Sequence, residues 1–234
     1  MRRAATVTIT AGVAGTATWA LPAPAAHVPP LCDALGILRR AALGPGAVGL
    51  TFDDGPHPRG TPAVLEALER AGATATFFVV GEQVRRDPGL VREVVAAGHR
   101  LGVHGDRHRS LLRMAPRTLR ADLDRCSALV EELSGAPVSL YRPPYGIFST
   151  GGLLEIRSRG WRPLLWSRWG RDWRQRATAS QIADDASSGC VAGDVILLHD
   201  ADHYSTPGSW RCTVDALPGI LGWLRKHGLR AVAV

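Results

Sequence analysis

Two adjacent carboxylates, Asp53 and Asp54, stand in the run Thr51-Phe52-Asp53-Asp54-Gly55-Pro56-His57. A short apolar stretch, Val48 to Phe52, leads into them and reads as a strand. Side chains alternate along a strand, so such neighbours ordinarily face opposite ways. The Gly55-Pro56 corner relaxes that constraint, because glycine tolerates special backbone angles and proline fixes its own φ. Both carboxylates can then overlook the strand end, where like charges so close either raise one pKa or share a cation. The competing reading is an exposed turn, for which Asp, Gly and Pro are ordinary residues. Farther on, His104-Gly105-Asp106-Arg107-His108 sets two imidazoles four residues apart. On a helical turn both reach one metal ion. Joined to a strand-end carboxylate they make a His₂Asp set, and three protein ligands with a position left for water mark a catalytic zinc site. The alternative is a basic, solvent-facing loop with Arg107 and Arg109.

These residues need a frame. Strand-like runs at 47–52, 74–80, 100–103, 140–142, 164–166, 195–198 and 231–234 alternate with helical patterns. Helices are expected at 62–71, opened by Thr61 and Pro62, and from Asp87-Pro88 to Gly98. Others follow at 116–133 and 152–159, then from a capping box at Thr178 to Gln181, and last at 215–227. About seven parallel strands alternating with helices give an α/β fold, either an open sheet or a barrel. Asp53, His104, Arg142, Asp172 and His199 all follow strands, and in a (β/α) barrel such positions share one mouth. No glycine-rich phosphate loop follows the first strand, which disfavours a nucleotide-binding sheet. A distorted (β/α) barrel is the fold expected.

With 234 residues, 45% of them hydrophobic, the chain suits one globular domain with a full core. Its formal charge of +7 rests almost wholly on Arg, Lys226 being the only lysine. Such a surface favours anionic surroundings, but no basic block with interleaved aromatics resembles a nucleic-acid module, so no nucleic-acid partner is expected. Cys32, Cys126, Cys190 and Cys212 lack CxxC spacing, which disfavours a cysteine metal site. They are buried thiols or up to two disulfides, Cys190 and Cys212 being the first pair to test. Residues 1–26 read as a signal peptide or disordered tail: Met1-Arg2-Arg3 leads a diluted apolar run, with Ala23-Pro24-Ala25 as a cleavage-like site. The threonines in that run argue against a stable membrane span. Residues 27–45 read as linker with one short helix near 34–42, and 46–234 as the functional domain.

Five segments together resemble the polysaccharide deacetylase family (the NodB-homology domain, carbohydrate esterase family 4-like). They are Thr51 to Pro56; His104 with His108; Tyr141-Arg142-Pro143-Pro144-Tyr145-Gly146; Trp166 to Trp173; and Val195-Ile196-Leu197-Leu198-His199, in the family's order. The resemblance implies a distorted (β/α) barrel and metal-dependent removal of acetyl groups from amino-sugar polymers, peptidoglycan or chitin-like. It implies that Asp54, His104 and His108 hold a divalent ion, Zn²⁺ first and Co²⁺ or another ion next. That ion would polarise the acetyl carbonyl and acidify a water. Asp53 would be the general base and Arg142 would hold its orientation. A backbone N–H at Tyr145 would stabilise the oxyanion, and His199, bonded to Asp172, would be the general acid. Leu197 and Trp173 would line a slot for the acetyl methyl.

The sequence departs from the family pattern twice. Gly105 stands where the family has Ser or Thr, which weakens support of the metal loop. Trp169 stands at the first acidic position of the fourth motif, unsettling the geometry around His199 and offering either a sugar-stacking ring or a core residue. Alternatives to an N-deacetylase are an O-acetyl esterase on a xylan-type glycan and a catalytically silent carbohydrate-binding barrel. A secreted or wall-associated monomer acting on acetylated polysaccharide is the expectation.

Overall fold

The computed structural model describes residues 18–234 and holds one curled sheet of eight parallel strands. They are β1 (Ala47–Asp53), β2 (Thr76–Val79), β3 (Arg100–Val103), β4 (Leu140–Tyr141), β5 (Arg162–Pro163), β6 (Arg168–Trp169), β7 (Val195–His199) and β8 (Arg230–Val232). The order is β5-β4-β3-β2-β1-β7-β6, with β8 added beside β1. β1 is buried along its whole length and is the hub. β7 lies along one side of it, while β8 pairs with residues 47–49 and β2 with 51–53 on the other. The register sets Asp53 opposite Phe78 and His199, so β1 and β7 end at one level.

The two edges of this sheet, β5 and β6, are consecutive in the chain. Residues 164–167 link them across the open side of this curled half-barrel, in place of the strand expected at 164–166. The reason is visible in the hydrogen bonds: the carbonyls of Leu164 and Leu165 accept from the Arg142 guanidinium, so they are not free to extend a ladder. Leu38 threads the same gap, donating to Pro163 and accepting from Leu165. The stretch 27–45 thus packs against the barrel, and its helix is Pro29–Ala34, earlier than the 34–42 expected.

The surrounding helices follow from apolar spacing. In Pro116–Ser134 the buried Leu119, Leu123, Cys126 and Val130 share one face, and Gly135, at φ 66°, ends the helix. The capping box at Thr178 and Gln181 forms both of its bonds. Two helices depart from expectation. Gly81–Arg86 was not foreseen, and the last helix, Ser209–Lys226, starts six residues before 215. Its early turns are held because Thr213, Ala216, Leu217 and Ile220 bury one stripe despite Pro218. All four cysteines are free, so Cys190 and Cys212 are unpaired. Among the described residues no helix is long and apolar enough to cross a membrane. Most of the expected leader, residues 1–17, lies outside the described residues. Ala25 and Ala26, at the cleavage-like site, are buried.

Candidate active site

Asp53 and Asp54 reach the same cavity, but glycine is not what turns them. Asp54 itself adopts φ 78°, a left-handed backbone that swings its carboxylate round to the side facing His104 and His108. Gly55 is needed for space: a side chain there would run into the Asp200 carboxylate. A strained non-glycine residue at a site is a common mark of function.

One oxygen of Asp54, Oδ1, lies 3.4 Å from Nε2 of His104 and 3.2 Å from Nε2 of His108. It is buried and makes no well-formed hydrogen bond. Burial opposes its charge, yet the two imidazoles hold its carboxyl well below the usual carboxylate range. His104 Nδ1 donates to the Arg142 carbonyl at 2.8 Å, which fixes the ring with Nε2 turned toward Asp54. Burial pushes the His108 pKa down against the opposing pull of Asp54, which favours the neutral ring. Candidate ligand atoms from the three residues all lie within 4.8 Å of one another. An orphaned buried carboxylate oxygen facing two imidazole nitrogens is a donor set that fits a divalent cation of the zinc type.

The loop carrying the two histidines is held from outside. Asp122 accepts the N–H groups of Asp106 (2.7 Å) and Arg107 (3.3 Å), while Asp106 is paired with Arg85 and Arg125. Tyr204 stacks on His108 with ring centres 4.2 Å apart, its hydroxyl tied to Glu82 and Gln83. Gly105 has φ 94°, and a Cβ there would sit 3.2 Å from Asp122 Oδ2. Asp122 therefore supplies loop support where the family pattern has a hydroxyl. Restoring serine in Gly105→Ser is expected to cost about 1–2 kcal/mol. Thermal denaturation checks this, as a midpoint roughly 2–8 °C lower.

Arg142 is fully buried. Its guanidinium donates to Asp53 Oδ1 (2.7 Å), Thr51 Oγ1 (2.8 Å) and the carbonyls of Leu164 and Leu165, under the face of Phe78. Asp53 is thereby locked on one oxygen, and its other, Oδ2, points 3.9 Å from His104 Nε2. Tyr145 has φ 61°, and its N–H has no hydrogen-bond partner among the described residues. Its ring is exposed and packs edge-on against His108, with centres 4.5 Å apart.

Asp172 grips His199 twice, accepting from its backbone N–H (2.7 Å) and from Nδ1 (2.8 Å). Thr213 Oγ1 donates to the same carboxylate at 2.8 Å. Burial pulls the imidazole pKa down, but the charge and hydrogen bond of Asp172, helped by Asp54 and Asp53, push it up to about 10. Asp172 thus fixes the His199 ring, and Trp169 lines the cavity beside it.

The cavity between these groups measures about 380 Å³. Leu197 and Trp173 line it with Trp166, Trp169 and His27. The three indoles stand 5.4–5.6 Å from one another in sequence along one wall, and His27 meets Trp169 at 5.7 Å. Every site residue expected from sequence thus borders this cavity or supports a residue that does. His27 was missed; it lies ahead of the barrel, in a stretch with no strand or helix signal of its own. His57, beside the first motif, is a loop anchor: its Nδ1 accepts from Gly60 N–H, and Nε2 faces Asp202 at 3.2 Å.

The chain matches the family described as Polysaccharide deacetylase over residues 40–163. A peptidoglycan-N-acetylglucosamine deacetylase of Bacillus cereus is 35% identical over 190 residues, 80% of this chain and 85% of that one. The chain belongs to the polysaccharide deacetylase family. A chitooligosaccharide deacetylase of Azorhizobium caulinodans is another member, 35% identical over 83% of this chain and 95% of its own. The family fold also matches in space. The crystal structure of a peptidoglycan N-acetylglucosamine deacetylase, bound to 4-naphthalen-1-yl-N-oxidanyl-benzamide, superposes with a TM-score of 0.79. It is 28% identical, and the match covers 86% of this chain and 92% of that one. The family read from five short motifs, the barrel it implies and its enzyme class, polysaccharide deacetylase, therefore stand.

Proposed function

We propose that this polysaccharide deacetylase is a metal-dependent hydrolase that removes acetyl groups from N-acetylated amino-sugar polymers, peptidoglycan or chitin-like. The observation that supports this reading is that Asp53 and His199, neighbours at the ends of β1 and β7, line one cavity together with the Asp54, His104 and His108 set. A silent binding barrel needs neither a base held by a buried arginine nor an acid held by a buried carboxylate. Relatives named for peptidoglycan N-acetylglucosamine and for chitooligosaccharide support the substrate class.

Asp54, His104 and His108 would hold the ion, with zinc favoured by two imidazoles and one carboxylate. When bound, the ion supplies a Lewis acid for the acetyl carbonyl and a water of lowered pKa. Asp53 takes the proton of the attacking water, its carboxylate aimed by Arg142. The unpartnered Tyr145 N–H donates to the developing oxyanion. His199 gives its proton to the departing amine from Nε2, since Nδ1 is engaged by Asp172. Leu197 and Trp173 enclose the acetyl methyl in an apolar slot. A secreted or wall-associated monomer, with residues 46–234 as its deacetylase domain, completes the reading.

The test is an acetate-release screen over chitooligosaccharides, peptidoglycan fragments and acetylxylan, with and without chelator. Release from the amino-sugar substrates that chelator stops supports the assignment; release from acetylxylan alone makes the protein an O-acetyl esterase. A pH profile tests the acid. A raised His199 pKa keeps the imidazole protonated through neutral pH, so activity should persist on the alkaline side and fall only as pH approaches about 10. In Asp172→Asn the limb should move down toward the ordinary imidazole range and kcat should drop at least about tenfold. An unmoved limb would remove Asp172 and His199 from this role.

A further inference from the structure

His108 and Tyr145 line both the catalytic cavity and a second groove of about 800 Å³, so the two spaces adjoin at this pair. The two sides differ in chemistry. On the cavity side the wall is indole, suited to the face of a neutral sugar ring. On the groove side stand Arg109 and Arg113, with no acidic residue among the lining. Both arginines are exposed, and neither side chain makes an ion pair or hydrogen bond among the described residues. Several other arginines of the chain, among them Arg85, Arg125 and Arg159, are paired with carboxylates. The frame beneath the two cations is fixed: Leu111 is buried, and the Leu112 carbonyl accepts from the Trp19 indole. Two unpaired guanidinium groups on a fixed frame beside a catalytic cavity suit a planar carboxylate.

We propose that this groove holds the sugar next to the one being deacetylated, and that it selects a sugar bearing a carboxylate, bound by Arg109 and Arg113. The inference rests on the deacetylase reading and narrows its substrate class to an anionic amino-sugar polymer over a neutral one. The polymer then crosses the His108–Tyr145 pair with a neutral ring on the tryptophan wall and an anionic ring among the arginines. Both cations are solvent-exposed, so the selectivity is screened by salt.

The test uses the full, zinc-supplied chain and two acetylated tetrasaccharides of equal length. One is all N-acetylglucosamine; the other alternates it with its 3-O-lactyl, carboxylate-bearing derivative. At low salt the anionic tetrasaccharide should have the higher kcat/KM, through KM, and the advantage should shrink at high salt. In Arg109→Gln/Arg113→Gln the anionic-to-neutral ratio should fall about tenfold. A ratio unchanged in the double variant overturns the proposal. Calorimetric titration of the Asp53→Asn protein with both sugars reads the same ratio without turnover, so failure of the deacetylase reading does not hide the groove's preference. Equal affinity for the two sugars, or tighter binding of a single-stranded oligonucleotide than of the anionic sugar, would also overturn it.

Discussion

Asp53→Asn is expected to release acetate about 10²–10⁴-fold more slowly than the parent chain while keeping its metal content and fold. The amide is the same size as the carboxylate and can still accept from Arg142, which lies 2.7 Å from Oδ1. What it loses is the negative charge and the ability to take a proton. Asp54, the neighbour that faces both imidazoles, is untouched. The change should therefore fall on kcat, with KM nearly constant, because the group acts in the transition state and not in substrate binding. Steady-state acetate release alongside elemental analysis checks both halves. Full activity would remove Asp53 as the base; lost metal would make it a ligand.

The second large effect is expected for His104→Ala, which should lose both the ion and activity. His104 is buried, its Nδ1 is fixed by the Arg142 carbonyl, and its Nε2 faces Asp54. Removing it leaves two of three ligands and opens a void at the end of β3. The contrast with Asp53→Asn is the informative part: one variant keeps the cation without turnover, and the other keeps neither. Adding excess Zn²⁺ should not restore His104→Ala, whereas it should restore chelator-stripped parent protein. Retained metal in His104→Ala would place the ion elsewhere.

Much of this site was legible because its residues sit at strand ends in short, chemically distinctive runs. Asp53 and Asp54 and the His104/His108 spacing each stand out locally as candidates with a bland alternative, and it is the order of the five motifs, Arg142 among them, that sets them apart. What the local pattern does not carry is long-range compensation. Gly105 reads as lost support, yet Asp122, some seventeen residues on and inside a helix, holds the same loop by its backbone N–H groups. Trp169 reads as damage to the His199 geometry, yet two bonds from Asp172 fix that histidine and the indole joins the cavity wall. His27 reads as linker, because a residue that docks across a barrel mouth leaves no periodic trace. The fold shows the same division. Strands with full ladders, such as β1 and β7, were placed nearly to the residue. Residues 164–166 look like a strand because they are apolar, while the carbonyls of Leu164 and Leu165 serve Arg142 instead.

The most direct measurement is anomalous diffraction at the zinc edge from crystals of the full chain soaked in Zn²⁺. A single strong peak is expected about 2.0–2.2 Å from a carboxylate oxygen of Asp54 and from Nε2 of His104 and of His108. It should lie in the cavity that His199 borders. No peak among these three side chains, or a strong peak held by other residues, would contradict the account.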